Sequence, residues 1–163
     1  VQITGTWDTL LAEQGCSREV RAHCAAVAGL AQEYTSSPLV DRGLVEAGSV
    51  LHDIGRSRTH GAGHAQAGAA ICRRLGLDRR ICSIVERHIG GGLTADECSL
   101  LGLVPRDSLP VAIEERIVAH ADNLVRRSDR QCIERLLWNS TYLPRRIRRR
   151  IYRLGMQVEL FRE

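Results

Sequence analysis

Apolar residues recur at helical spacing along almost the whole chain, and the polar residues between them read as caps and stops. Val20, His23, Cys24, Val27, Leu30 and Tyr34 fall on one face of a helix that Ser17 can cap and that reaches about residue 34. Upstream, Thr6 can cap a short helix through Leu11, ended by Gly15. After Pro38, residues 40–53 place Leu44, Ala47, Gly48 and Leu51 on one side, where small residues would let another helix come close. Residues 56–63 read as a loop, and 64–75 as a helix closed by Gly76. Asp78 can cap a helix that aligns Ile81, Ile84, Val85 and His88 and stops at Gly90-Gly91-Gly92. Thr94 and Glu97 have capping-box spacing for a short helix to about Leu101. The periodicity then predicts helices over 112–127, 129–138 and 144–161.

These elements amount to an all-α chain whose 163 residues suit a single domain. Aromatic residues are only 4% of the chain, so Leu, Ile, Val and Ala must build the core, which packed helices allow. No stretch approaches the roughly 18 consecutive apolar residues of a membrane span. Val1-Gln2-Ile3-Thr4 shows no charged region followed by an apolar one, so the expected location is cytoplasmic. None of the six cysteines forms a C-x-x-C pair, and several fall at apolar helical positions, so they read as reduced, buried thiols.

All 23 basic residues are arginine, a bias that a GC-rich or heat-adapted genome explains more simply than function does. In the final helix Ile147, Ile151, Leu154 and Val158 project together. Arg145, Arg146, Arg148, Arg149, Arg150 and Arg153 spread over roughly 200° of the other side. A solvated face and a basic rim for a polyanion both fit that arc.

The chemistry concentrates in Leu51-His52-Asp53-Ile54-Gly55-Arg56, where two metal-binding side chains stand at a helix end with Gly55 as the expected stop. His23 precedes it on an apolar stripe. His64 and His88 follow, and Asp122 lies within the apolar stretch 117–125, where a buried carboxylate needs a cation or donors. His60-x-x-x-His64 lies in a glycine-bearing loop and there is no H-E-x-x-H, so a zinc-protease helix is not indicated.

The order His, His-Asp, His, His, Asp resembles the HD-domain metal-dependent phosphohydrolases, specifically their H-D-I-G subset, and within it a small archaeal-type branch. The pieces are Arg21-Ala22-His23-Cys24, Leu51-His52-Asp53-Ile54-Gly55, His64-Ala65-Gln66-Ala67-Gly68-Ala69, Glu86-Arg87-His88-Ile89-Gly90 and Val118-Ala119-His120-Ala121-Asp122-Asn123. The resemblance implies an HD-type helical bundle over 1–163. It also implies a first divalent ion held by His23, His52, Asp53 and Asp122, and a second held by His64 and His88 with Asp53 bridging. Imidazole and carboxylate donors suit Mn, Fe, Co, Ni or Zn.

With that ligand set the site keeps net positive charge, so an anionic substrate follows. The implied reaction is hydrolysis of a nucleotide or short-oligonucleotide phosphoester or phosphoanhydride by metal-activated water. Arg56, Arg58 and His60 are the candidate phosphate contacts, and His60 could also protonate the leaving oxygen. His120 lies about 200° from Asp122 around its helix and reads as packing. The alternative is a non-catalytic nucleotide or RNA binder that keeps metals for structure.

Overall fold

In the computed structural model, residues 3–162 are described and are predominantly helical. The helices are α1 (Ile3–Glu13), α2 (Arg18–Ala31), α3 (Arg42–Leu51), α4 (His64–Arg74), α5 (Arg79–Arg87), α6 (Ala95–Leu100), α7 (Ile113–Leu124), α8 (Ile133–Asn139) and α9 (Arg145–Glu159). Short 3-10 turns, Gln32–Tyr34 and Ile54–Ser57, follow α2 and α3. Helices α2, α3, α5 and α7 pack on one another. α1 leans on α3, α4 lies against α5 and the Ile54–Ser57 turn, and α9 packs on α7. No described helix is long and apolar enough to cross a membrane.

Local side-chain-to-backbone bonds set many of the boundaries. Ser17 accepts from the Val20 amide at 3.3 Å, Asp41 from Leu44 at 3.0 Å and Asp78 from Arg80 at 2.8 Å. Thr94 and Glu97 close the expected capping box. Gly15 and Gly76 take the left-handed backbone that ends α1 and α4. The Thr6 cap is not realised, because α1 is already helical from Ile3 and Thr6 lies within it. Five cysteines are buried and Cys132 is exposed; all six are free thiols.

Two differences from the sequence expectation matter for the site. First, α3 ends at Leu51, and Gly55 is not a left-handed stop. Its role is close approach: a Cβ there would lie 1.9 Å from the His64 carbonyl oxygen and 2.5 Å from the Gly68 nitrogen. The Ile54–Ser57 turn therefore lies directly on α4, which draws His64 toward Asp53. The expected close approach at Gly48 is also present, where a Cβ would meet Ile84 at 2.6 Å.

Second, α7 stops at Leu124 rather than at 127, and α8 starts at Ile133 rather than at 129. Between them lies a small antiparallel hairpin pairing Val125 with Arg130 and Arg126 with Asp129. Its turn holds Arg127 at φ 59°, a left-handed backbone uncommon outside glycine. The local apolar pattern carries the helix too far because Val125 is buried as a strand residue, and burial alone does not distinguish strand from helix.

Gly55→Ala is expected to destabilise the protein by about 3 kcal/mol or more, a drop in Tm on the order of 10 °C, since backbone rather than a movable side chain blocks the new methyl. Thermal unfolding followed by circular dichroism checks this. Gly61→Ala is the control, because its Cβ would meet only the Thr59 hydroxyl, at 3.9 Å.

Candidate metal centre

Six side chains carried by five helices and the residues that follow them converge in the interior of the bundle. His23 comes from the middle of α2, His52 and Asp53 from just past α3, His64 from the first turn of α4, His88 from the residue after α5, and Asp122 from the last turns of α7. His52, Asp53, His64 and His88 are buried, and His23 and Asp122 are partly covered.

The four imidazoles share one orientation. Nδ1 of His52, His64 and His88 each faces the carbonyl three residues earlier, Ser49 at 2.7 Å, Gly61 at 2.8 Å and Val85 at 2.8 Å. Nδ1 of His23 faces the Arg127 carbonyl at 2.7 Å across the fold. A carbonyl only accepts, so each Nδ1 carries the proton and each Nε2 of a neutral ring presents its lone pair to the centre. For His52 and His88 the acceptors are carbonyls in the last turn of the helix, which lack a helical amide partner. His23 depends on the hairpin, since the left-handed residue at 127 supplies its carbonyl. The expectation of a straight continuation of α7 hides this partner from sequence reading.

Asp53 sits between two pairs of these nitrogens. Its Oδ1 lies 3.1 Å from His64 Nε2 and 3.6 Å from His88 Nε2, while its Oδ2 lies 3.8 Å from His52 Nε2 and 3.9 Å from His23 Nε2. Asp122 Oδ1 completes the second group, 3.0 Å from His23 Nε2 and 3.5 Å from His52 Nε2. The Nε2 atoms of His64 and His88 are 3.0 Å apart. Two lone pairs at that distance repel unless a cation lies between them. Nitrogens held at about 2.1 Å at right angles around one ion would be about 3.0 Å apart.

The electrostatics point the same way. Burial alone would raise the Asp53 carboxyl, but His52, His64 and His88 hold it far below the usual carboxylate range. Burial likewise opposes ionisation of Asp122, and His52 and His23 overcome it. At His52 burial disfavours the imidazolium, yet Cys24, Asp53 and Asp122 more than offset this and raise its pKa well above that of an ordinary histidine. Burial keeps His88 below the ordinary value. Two ionised carboxylates thus call for a cation beside His52, either a proton or a metal ion. His52 Nε2 and Asp53 Oδ1 are buried with no hydrogen-bond partner, although both aim at the centre. Donor atoms of His23, His52 and Asp122 lie within 4.8 Å of one another, as do those of His52, Asp53 and His88. The donor set fits a divalent metal.

Arg56 is the one expected phosphate contact that touches the cluster. Its Nε donates to Asp53 Oδ2 at 2.5 Å, and its Nη1 donates to the His60 carbonyl at 3.4 Å. The Arg58 and His60 side chains are exposed on the same loop, without a polar partner among the described residues. His120 stands apart, as expected, paired through Nε2 with Glu159 at 2.9 Å. Glu159 also accepts from the Tyr34 hydroxyl at 2.9 Å.

The helical bundle buries a His-Asp pair among three further histidines and a second aspartate, a donor set that could hold a metal ion. The family model described as HD domain matches residues 20–127, well over half of the chain and inclusive of all six cluster residues, and the chain belongs to that family. A stretch of 115 residues is 51% identical to the uncharacterized protein MJ0778 of Methanocaldococcus jannaschii, covering 68% of each.

Two further relatives are proteins named tRNA (cytidine(56)-2'-O)-methyltransferase. The one from Thermoplasma volcanium is 44% identical over 130 residues, covering 80% of this chain and 38% of that protein. The one from Picrophilus torridus is 56% identical over 85 residues, covering 52% and 25%. The chain therefore spans well under half the length of either methyltransferase. Among solved structures, the HD domain of the L. monocytogenes phosphodiesterase PgpH matches with a TM-score of 0.53 at 17% identity, covering 86% of this chain and 91% of that one. Its complex with cyclic-di-AMP matches with a TM-score of 0.54, covering 88% and 91%. At that identity the likeness concerns the fold.

Adding Mn or Zn to metal-stripped protein is expected to raise Tm. An ion at a hundredfold excess over its Kd contributes about 2.7 kcal/mol, on the order of 5–10 °C for a chain of this size. His52→Ala should lower the starting Tm and remove most of the metal-dependent rise. Differential scanning calorimetry with and without the ion measures both.

Proposed function

We propose that the chain is a metal-dependent phosphohydrolase acting on a phosphoester or phosphoanhydride of a nucleotide or short oligonucleotide. The observation that carries this reading is Asp53, whose two oxygens face separate histidine pairs with their Nε2 lone pairs turned inward. In this reading His23, His52, Asp53 and Asp122 hold one divalent ion (Mn, Fe, Co, Ni or Zn), and His64 and His88, sharing Asp53, hold another. Such ions supply Lewis acidity that activates a water molecule and neutralises phosphate charge.

The chain's own residues do the rest. The Nδ1 bonds to carbonyls fix the imidazole planes, so little reorganisation accompanies binding. Arg56 is partly exposed, with its Nε on Asp53 and its Nη1 on the His60 carbonyl, which leaves the Nη2 hydrogens available for a phosphate oxygen beside the cluster. Arg58 and His60, on the same exposed loop, contact the phosphate further out, and His60 carries a proton to the leaving oxygen. Burial of the carboxylates among imidazoles excludes bulk water from the ligand side of the centre. The likeness to a phosphodiesterase HD domain solved with a cyclic dinucleotide supports a nucleotide phosphodiester as substrate class.

A second reading, a non-catalytic nucleotide or RNA binder, is favoured by the two relatives named as tRNA methyltransferases. Hydrolysis assays on nucleoside mono-, di- and cyclic phosphates with Mn-loaded protein decide between them. The hydrolase reading expects turnover on at least one substrate and its loss by at least about 100-fold in Asp53→Asn, with the helical circular dichroism intact. Turnover within tenfold of wild type would remove Asp53 from the bridging role. Elemental analysis is expected to give more than one ion per chain, falling toward one in His88→Ala.

A further inference from the structure

The polyanion question raised by the arginines of α9 takes a definite shape in the fold. Arg146, Arg149, Arg150 and Arg153 form pairs three or four residues apart (146/149, 146/150, 149/153, 150/153) along one side of the helix and line a cleft of about 450 Å³. The opposite wall is Gly91, Leu109, Pro110 and Arg116 of α7. Arginine thus comes from both sides, and no carboxylate lines the cleft. The floor is fixed: a Cβ on Gly91 would meet the backbone of Arg150 and Ile151 at 3.1 Å, so the turn after His88 lies directly against α9.

Not all five guanidiniums are free. Arg150 donates to the Gly92 carbonyl at 2.9 Å and pairs with Glu97 at 2.6 Å, and Arg146 reaches Glu97 at 3.5 Å. Arg116, Arg149 and Arg153 have no hydrogen-bond or ion-pair partner among the described residues. A surface helix ordinarily balances its charges with opposite signs at three- and four-residue spacing. In α9 those neighbours are arginines, and the first turn, where the helix dipole already disfavours cations, holds Arg145, Arg146 and Arg148. The lone carboxylate of α9, Glu159, is bonded to Tyr34 and His120. Fold stability accounts for Arg150 and Arg146 but not for Arg116, Arg149 and Arg153, whereas an anion in the cleft accounts for those three.

We infer that this cleft is a binding site for the phosphodiester backbone of an oligonucleotide, separate from the metal cluster. The positive stripe from Arg146 to Arg153 runs about 10 Å along the helix, longer than one phosphate group needs. Guanidiniums on facing walls suit bidentate contacts to successive phosphates. No aromatic side chain lines the cleft to stack on a base, so recognition is of backbone rather than of a single nucleotide. Its concave shape suits a chain-like polyanion better than the plane of an anionic membrane. The site does not depend on the hydrolase reading, because binding is measured without turnover.

Fluorescence anisotropy of a short labelled single-stranded RNA, and of DNA of the same sequence, tests this with the metal-loaded full chain over a range of salt. Wild type should bind at least one of the two, with log affinity falling linearly in log salt. Arg149→Glu with Arg153→Glu should lose at least about tenfold in affinity and flatten the slope by about 1.4, roughly 0.7 per phosphate contact. Arg116→Gln, on the facing wall, should weaken binding without reversing a charge. A control of equal charge change, Arg18→Glu with Arg74→Glu at exposed positions away from the cleft, should retain most of the affinity.

Equal losses in control and cleft variants would overturn the site. So would ATP binding as tightly as RNA and DNA, or binding to phosphatidylglycerol vesicles with none to either oligonucleotide. Hydrolysis failing while cleft-dependent oligonucleotide binding persists would remove the proposed activity and leave this site standing.

Discussion

A buried, ionised Asp53 is the constraint around which the bundle is organised. A carboxylate in the interior is tolerated only if positive charge or donors surround it, and here the surroundings come from every direction. One oxygen meets histidines from α4 and α5, the other meets histidines from α2 and the end of α3 together with Arg56. The end of α3 at Leu51 frees His52 and Asp53 to turn inward, and the contact of Gly55 with α4 brings His64 within reach. Asp122 adds a second negative charge on the side of His23 and His52, so those two histidines lie between two carboxylates.

Much of this is legible in the sequence where the governing interaction is local. Ser17, Asp78 and the Thr94–Glu97 box act through their own neighbouring amides, so composition and spacing suffice to place the helices they start. The six convergent residues can be picked out because their order resembles a known family, while periodicity alone puts His23 and His88 inward and says little of the others. What stays hidden depends on contacts between distant segments. Gly55 looks like any helix stop until α4 is seen lying on it. The Arg127 carbonyl is 104 positions from His23 and leaves no trace in side-chain type. The helix-like pattern through Val125 reports burial, and burial does not distinguish a last helical turn from a short strand.

The family-matched stretch, residues 20–127, contains the complete cluster and ends at the hairpin turn. Helices α8 and α9 lie beyond it, yet they are not loose additions. Ile133 and His120 both crowd Gly155, Glu159 of α9 satisfies His120, and Arg150 grips the turn that follows His88. Asn123, next to Asp122, donates to the Gly90 carbonyl in that same turn. The His/Asp cluster and the arginine helix are thus linked through one short glycine turn.

The left-handed backbone at Arg127 separates what the site requires from what a list of ligands records. Its side chain is exposed, and only its carbonyl serves the cluster. Position 127 can drift freely in chemistry, toward glycine, asparagine or aspartate, as long as handedness is kept. A β-branched residue there would leave every donor atom encoded and still release the His23 ring from its tautomer. In this protein, an intact roster of candidate metal ligands is therefore no guarantee of an intact donor cluster.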